Sequence, residues 1–289
     1  MEPLPAYLKD EHIRAFIKRA LQEDIGPGDY STLAAIDENV YAEARLIIKE
    51  EGILAGLEVA TRIFNEVDNS LKVKLLTKEG ERVKVGEIAL EVSGIARSIL
   101  SAERLVLNIL QRMSGIATTT NKMVQLIAGT KAKLLDTRKT TPNFRAFEKW
   151  AVKIGGGNNH RFALYDMIML KDNHNDYAGG IKNAIARTKA YLQTNNLDLK
   201  IEVETRNLVE VRQAAEAGID IILLDNMSTD EIREAVKLIA GRAKTEASGS
   251  INESNITEFA GTGVDFISVG ALTHSYKSLD MSLKARLTN

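Results

Sequence analysis

Between Lys133 and Gly270 the chain repeats one phrase, a short apolar run closed by a polar residue or glycine and then, in most cases, a helical stretch. The runs are KLLD (Lys133 to Asp136), MIML (Met167 to Leu170), IEVE (Ile201 to Glu204), IILLD (Ile221 to Asp225), KTEAS (Lys244 to Ser248) and FISVG (Phe266 to Gly270). Leu208 to Ala217 and Thr229 to Ile239 read as connecting helices. Parallel strands need such crossovers, so the pattern predicts βαβ units. Six strands in so short a stretch suit a compact, incomplete α/β barrel better than an open sheet.

A reactive residue sits at or just past the C-terminal end of each run: Asp136 and Arg138, Lys171, Glu204, Asp225, Ser248 and Gly270. Barrel enzymes build their sites on that face, from the loops after several strands. One convergent site is expected there.

The first third has a different texture. Ile13, Phe16, Ile17, Ala20 and Leu21 recur at helical spacing from Glu11 to Gln22, and Gly26, Pro27 and Gly28 break the helix. The alternating runs AEARLIIKE, LKVKLL and EIALEVSG then read as strands. From Arg97 to Met113 a helix is predicted, with Arg97, Ser101, Arg104, Asn108 and Gln111 as its polar stripe and SGIA at Ser114 as a hinge after it.

Composition narrows the chemistry. The 289 residues contain no cysteine, which excludes disulfides, thiolate metal sites and a cysteine nucleophile. A net charge of -1 gives no field for nucleic acid or an anionic membrane, so neither is expected as a partner. The opening MEPLPAYLKD does not read as a secretory signal, and no apolar stretch approaches the roughly 20 residues that span a bilayer. A cytoplasmic location is the expectation.

Against that near-neutral background, DTRKTTPNF, GGGNNHRF and LKDNH concentrate Arg138, Lys139, His160, Arg161, Lys171 and His174 at loop positions. A single Arg-Lys pair is more often a solvated loop charge. Three clusters on one face suit a ligand with several carboxylates or phosphates. Glu204 and Asp225 close apolar runs, where a carboxylate needs a partner. That partner is either Mg²⁺ with substrate hydroxyls or a buried salt bridge. Glu202 shares the strand face of Glu204, and spacing does not say which meets a ligand. EASGS and SVGA close the last two runs as phosphate-binding loops do, whereas GGG at Gly155 reads as a flexible turn presenting His160 and Arg161. The four histidines have no zinc spacing, and neither a nucleophile elbow nor a GxxxxGK[ST] loop is present.

Taken in order, EDIGPGDYST, AERLVLNILQRMSGIAT, LDTRKTTPNFR, GGGNNHR, MIMLKDNH, EVET, ILLDNM, EASGSI and ISVGALTHS closely resemble the quinolinate phosphoribosyltransferase family, the decarboxylating enzymes of NAD biosynthesis. The resemblance covers essentially the whole chain. It implies an N-terminal α/β sandwich domain over 1–113, joined by 275–289, a C-terminal incomplete α/β barrel over 114–274, and a homodimer with shared active sites. Arg104 of the partner subunit would complete a substrate site made of Arg138, Lys139, His160, Arg161 and Lys171. Glu204 and Asp225 would take the ribose hydroxyls and Mg²⁺, with Ser248, Gly249 and Gly270 on the phosphate of phosphoribosyl pyrophosphate. Lys139, Lys171, Glu204 and Asp225 are the catalytic candidates.

Asn143 and Ser250 stand where that family commonly has glycine. Asparagine tolerates the positive φ of such a turn. Three rival readings are a nicotinate phosphoribosyltransferase that loses no CO₂, a non-catalytic anion-binding barrel, and an aldolase with Lys171 as its Schiff-base lysine. The number of cations disfavours the first, and the two carboxylates disfavour the second.

Overall fold

The computed structural model describes residues 4–286. In chain order it has α1 (Asp10–Ile25), α2 (Tyr30–Ala35), β1 (Tyr41–Ile48), β2 (Gly52–Ile53), α3 (Leu57–Val67), β3 (Lys72–Leu75), β4 (Arg82–Val83) and β5 (Ile88–Ile95). Next come α4 (Ala96–Leu126), β6 (Lys133–Leu135), α5 (Arg145–Ile154), β7 (Ile168–Leu170), α6 (Asp172–Tyr177), α7 (Ile181–Thr194) and β8 (Ile201–Thr205). The chain closes with α8 (Leu208–Ala217), β9 (Ile221–Asp225), α9 (Thr229–Ile239), β10 (Lys244–Ser248), α10 (Ile256–Ala260), β11 (Phe266–Ser268), α11 (Ala271–His274) and β12 (Met281–Arg286).

Two compact units divide these elements: of the described residues, 4–121, 142–156 and 276–286 fall in one, 122–141 and 157–275 in the other. Residues 1–3 and 287–289, at the outer ends of the expected first domain, lie outside the described residues.

The first unit is built on an antiparallel sheet of order β12-β1-β5-β3. Alternation along β1 buries Ala44, Leu46 and Ile48, as period-2 patterning requires. Each such leucine or isoleucine contributes about 1.5–3 kcal/mol on leaving water. The first helix runs to Ile25, past the expected Gln22, and ends where Gly26 takes φ 53° and donates its N–H to the carbonyl of Gln22.

The expected hinge after Met113 is absent. The helix α4 continues through Ser114–Ala117 to Leu126, and the small residues serve contact instead. A Cβ on Gly115 would meet the carbonyl of Lys277 and lie 3.0 Å from Ser278 Cα. The Ser114 hydroxyl accepts the amide of Ala55 at 2.9 Å. Gly155 is likewise packed, not flexible: a Cβ there would strike the Ala117 carbonyl and lie 2.7 Å from Thr120 Cβ. An aromatic cluster of Phe16, Phe144 and Phe147, with centroids 4.6–5.4 Å apart, fills part of the same core.

All six apolar runs become strands of one parallel sheet in the second unit, ordered β6-β11-β10-β9-β8-β7. Chain neighbours pair throughout and the last strand pairs with the first, so the order is that of a barrel with one break, between β6 and β7. An isolated parallel bridge from Leu135 to Asn158 lies beyond β6 on that side. The mixed α/β class and the incomplete barrel read from the sequence are borne out. Surface detail follows local rules: Ser228 and Glu231 form a reciprocal capping box that opens α9.

Candidate active site

A cavity of about 790 Å³ opens in the second unit where its strands end. Three cations that the sequence scattered over thirty-four positions line it together, Arg138 after β6, Arg161 before β7 and Lys171 after it. Lys139 and His160 join them. The Nε atoms of Arg138 and Arg161 are buried without a hydrogen-bond partner among the described residues. Arg161 donates from Nη1 to the Met167 carbonyl at 3.2 Å, and burial, then the nearby Arg138 charge, hold its pKa below the usual arginine value. Two guanidinium groups with unspent donors and too few counter-charges make an anion trap.

Opposite in character are Glu204 at the end of β8 and Asp225 at the end of β9, both on the cavity wall. Burial raises the Glu204 pKa, the Asp225 charge raises it further, and the Asp172 amide, 3.3 Å from Oε1, works against both. Lys171 Nζ stands 3.9 Å from Glu204 Oε2. Asp225 accepts the side-chain amide of Asn226 at 2.7 Å. The donor set offered by the two carboxylates is oxygen only, as hard divalent cations prefer.

The loop after β10 carries Ser248, Gly249 and Ser250 onto the same cavity, and Gly270 follows β11. Gly249 has φ +103°, and a Cβ there would collide with Asn226, so glycine is a steric requirement. Ser250 adopts φ 53° and Asn143 φ 62°, both in the left-handed region that glycine occupies freely. A Cβ on Gly270 would crowd His274 Nε2 and Lys139 Cδ, each at 3.0 Å. Thr273 donates its hydroxyl to the Lys139 carbonyl at 2.8 Å, which fixes the loop that bears this lysine.

Of the residues that close the apolar runs, Asp136 has another position. Asp136 is fully buried and lies off the cavity, where it accepts the His160 amide at 2.8 Å and the Asn159 side chain at 2.7 Å. It holds the GGGNNHR loop in place. Arg104 is exposed on α4, in the first unit, and is not among the cavity-lining residues of the chain. His174 turns back on its own helix, its Nδ1 accepting the Lys171 amide at 2.9 Å.

Glu202 and Glu204 share a strand parity, but only Glu204 lines the cavity. Glu202 is fully buried with its Oε2 2.9 Å from His160 Nε2, and Glu246 Oε2 is 3.6 Å from the same nitrogen. Glu246 lines the cavity and was missed in the sequence. The signal was present: it stands two residues before Ser248 in KTEAS, hence on the same strand face. Burial, and then the Glu202 charge, push its carboxyl up to about 8, against the opposing influence of His160 and Ser268.

Comparison with known proteins agrees along nearly the whole length. The family model described as quinolinate phosphoribosyl transferase, N-terminal domain, matches residues 29–114, and the C-terminal domain model matches residues 116–284. The chain is 46% identical to the chloroplastic nicotinate-nucleotide pyrophosphorylase [carboxylating] of Arabidopsis thaliana, over 94% of this chain and 82% of that protein. It is 42% identical to a probable nicotinate-nucleotide pyrophosphorylase [carboxylating] of Bacillus subtilis, over 96% of this chain and 94% of that one. The crystal structure of NadC from Streptococcus pyogenes superposes with a TM-score of 0.93 at 45% identity, covering 98% of this chain and 99% of that chain. Matched in both domains and across nearly its full length, this chain belongs to the quinolinate phosphoribosyltransferase family.

Proposed function

We infer that the chain transfers the phosphoribosyl group of phosphoribosyl pyrophosphate to quinolinate, releasing pyrophosphate and CO₂ and leaving nicotinate mononucleotide, a step of NAD biosynthesis. The observation that carries this reading is the pair of partly buried arginines at the cavity, Arg138 and Arg161, whose buried Nε donors are unmet. A pyridine with two adjacent carboxylates meets that demand, and Lys139 and Lys171 add point charges on the same wall.

Mg²⁺ is the cofactor of this proposal. The buried Glu204 repelled by Asp225 supports it, because a hard cation relieves that repulsion, and both carboxylates would hold the ion with oxygens of the pyrophosphate substrate. When bound, Mg²⁺ supplies charge neutralisation at the phosphates.

The chain's own residues do the rest by positioning and electrostatics. Arg138, Arg161 and the two lysines orient the pyridine nitrogen toward ribose C1, and Glu204 and Asp225 accept the ribose hydroxyls. Backbone N–H groups at Ser248, Gly249 and Gly270 receive the 5′-phosphate. Positive charge that builds on C1 as pyrophosphate departs faces these two carboxylates. The quaternised ring then accepts the electron pair left by the departing carboxylate. No covalent nucleophile is needed. A homodimer in which the partner's Arg104 completes each cavity belongs to the same proposal, and the exposure of Arg104 on α4 supports it.

No helix among the described residues is long and apolar enough to cross a membrane, and a cytoplasmic location is part of the proposal. Carboxyl-labelled quinolinate with phosphoribosyl pyrophosphate and Mg²⁺ tests the whole reading. CO₂ release that requires both additions, with nicotinate inert, is expected; mononucleotide from nicotinate without CO₂ from quinolinate would replace it with the non-decarboxylating activity.

A further inference from the structure

Beneath the cavity, His160, Glu202 and Glu246 bring one ring nitrogen and two carboxylates within 4.8 Å of one another. Three such groups resemble a metal site, but the imidazole is turned the wrong way. His160 Nδ1 accepts the Arg161 amide at 2.7 Å, which leaves the ring proton on Nε2, 2.9 Å from Glu202 Oε2 and 3.6 Å from Glu246 Oε2. A protonated Nε2 has no lone pair for a metal. The two buried acids share this one neighbouring nitrogen, and among the described residues neither acid pairs with a lysine or arginine. Burial, and then the Glu202 charge beside it, keep the proton on the Glu246 carboxyl.

That proton has a use in the reaction inferred above, on which this argument rests. We propose that Glu246 is the acid that protonates the pyridine ring carbon when CO₂ leaves it. The nitrogen–C1 bond forms as the C1–oxygen bond to pyrophosphate breaks. The bond from ring C2 to its carboxylate then breaks, CO₂ departs, and the electron pair stays on C2. C2 takes the proton from the Glu246 carboxyl oxygen, and the resulting carboxylate is reprotonated from solvent. Net, one proton is consumed, as loss of neutral CO₂ from a carboxylate demands.

Position selects Glu246 over its neighbour, because Glu246 lines the cavity with Arg138 and Arg161 whereas Glu202 does not. The groups that face it are Glu202 from β8, Asp136 from the end of β6, His160 from the loop before β7 and Ser268 from β11. The two acids favour its neutral form and His160 opposes them, with the balance toward retention of the proton. Glu202 is then a positioning residue.

The test separates transfer from decarboxylation. In folded Glu246→Gln, pyrophosphate should still appear in a burst equal to the active sites, while labelled CO₂ release from quinolinate falls at least about 100-fold, the usual contribution of a general acid. Quinolinate mononucleotide should accumulate and be seen by mass. Release of CO₂ within threefold of the parent would overturn the proposal, and so would equal loss of both products, the mark of a merely structural role. Should the variant not fold, the parent enzyme decides. Its CO₂ release must slow above about pH 8 while the pyrophosphate burst persists, and a flat CO₂ rate from pH 6 to 10 overturns the idea. Absence of CO₂ release by the parent at every pH would refute the inferred function instead.

Discussion

Single side chains in the cavity gain their meaning from what they lack. Lys139 makes no ion pair among the described residues, and its loop is pinned through its carbonyl by Thr273. A cation held in place without an anion is available to substrate. Lys139→Ala should lower kcat/KM for quinolinate by at least about tenfold, the equivalent of losing one charged contact; near-full turnover in steady-state assays would remove this lysine from the mechanism. Ser250 gives the opposite case. Its φ of 53° costs a side-chain-bearing residue about 1 kcal/mol, part of which glycine returns as lost chain entropy. Ser250→Gly should therefore stabilise the protein by roughly 0.5 kcal/mol in urea unfolding. An unchanged or lower midpoint would mean that the serine hydroxyl compensates its own strain. The sequence alone shows both residues but neither circumstance, because a missing partner and a backbone angle are properties of the folded surroundings.

Elements were more legible than residues. The six strands of the barrel were visible because each is an apolar run with a polar stop, and α8 and α9 have the bounds read from the sequence. Strand ends also announced the site, since Arg138, Lys171, Glu204, Asp225, Ser248 and Gly270 all reach one cavity. The errors came where one residue type serves two purposes. Small residues at 114–117 read as a hinge, yet Gly115 is the point where the backbone of Lys277 and Ser278 crosses α4. Asp136 read as a site acid because a buried loop anchor and a catalytic acid look alike until their partners are known. Gly115→Ala tests the packing account directly. On an exposed helix face alanine would gain about 1 kcal/mol. Here it should cost at least about 2 kcal/mol net, read as a lowered unfolding midpoint, because backbone cannot yield to a methyl group as a side chain can.

For the molecule as a whole, buried acids set the response to pH. Folding raises the carboxyl pKa of Glu246, Glu204 and Glu79, chiefly through burial. The folded state thus holds protons that the unfolded chain has released, and stability falls as pH rises from about 4.5 through about 8. Hydrogen-bonded Asp29, Asp68 and Glu231 are shifted down and contribute stability that is lost on acidification below about 4. Thermal scans from pH 4 to pH 9 should find maximal stability near pH 5, and a maximum at pH 8 or above would contradict these shifts. At the same scale, the shared-site proposal predicts complementation. Inactive Arg104→Ala and Lys171→Ala chains, mixed and allowed to exchange, should regain about a quarter of parental activity, since half of the dimers are mixed and each has one intact cavity. Proven mixed dimers without activity would sink it.

The pairing of Glu43 with Arg286 spans 243 positions and completes the sheet of the first unit. While the protein is being made, β1 has β5 beside it early and nothing on its other side until the last strand leaves the ribosome. At 5–20 residues per second that interval is roughly 10–50 s, during which a hydrophobic strand with unpaired N–H and C=O groups is offered to any passing chain. The period of greatest risk for this fold is therefore its own synthesis, and the cellular factors that matter to its yield are those that meet nascent chains.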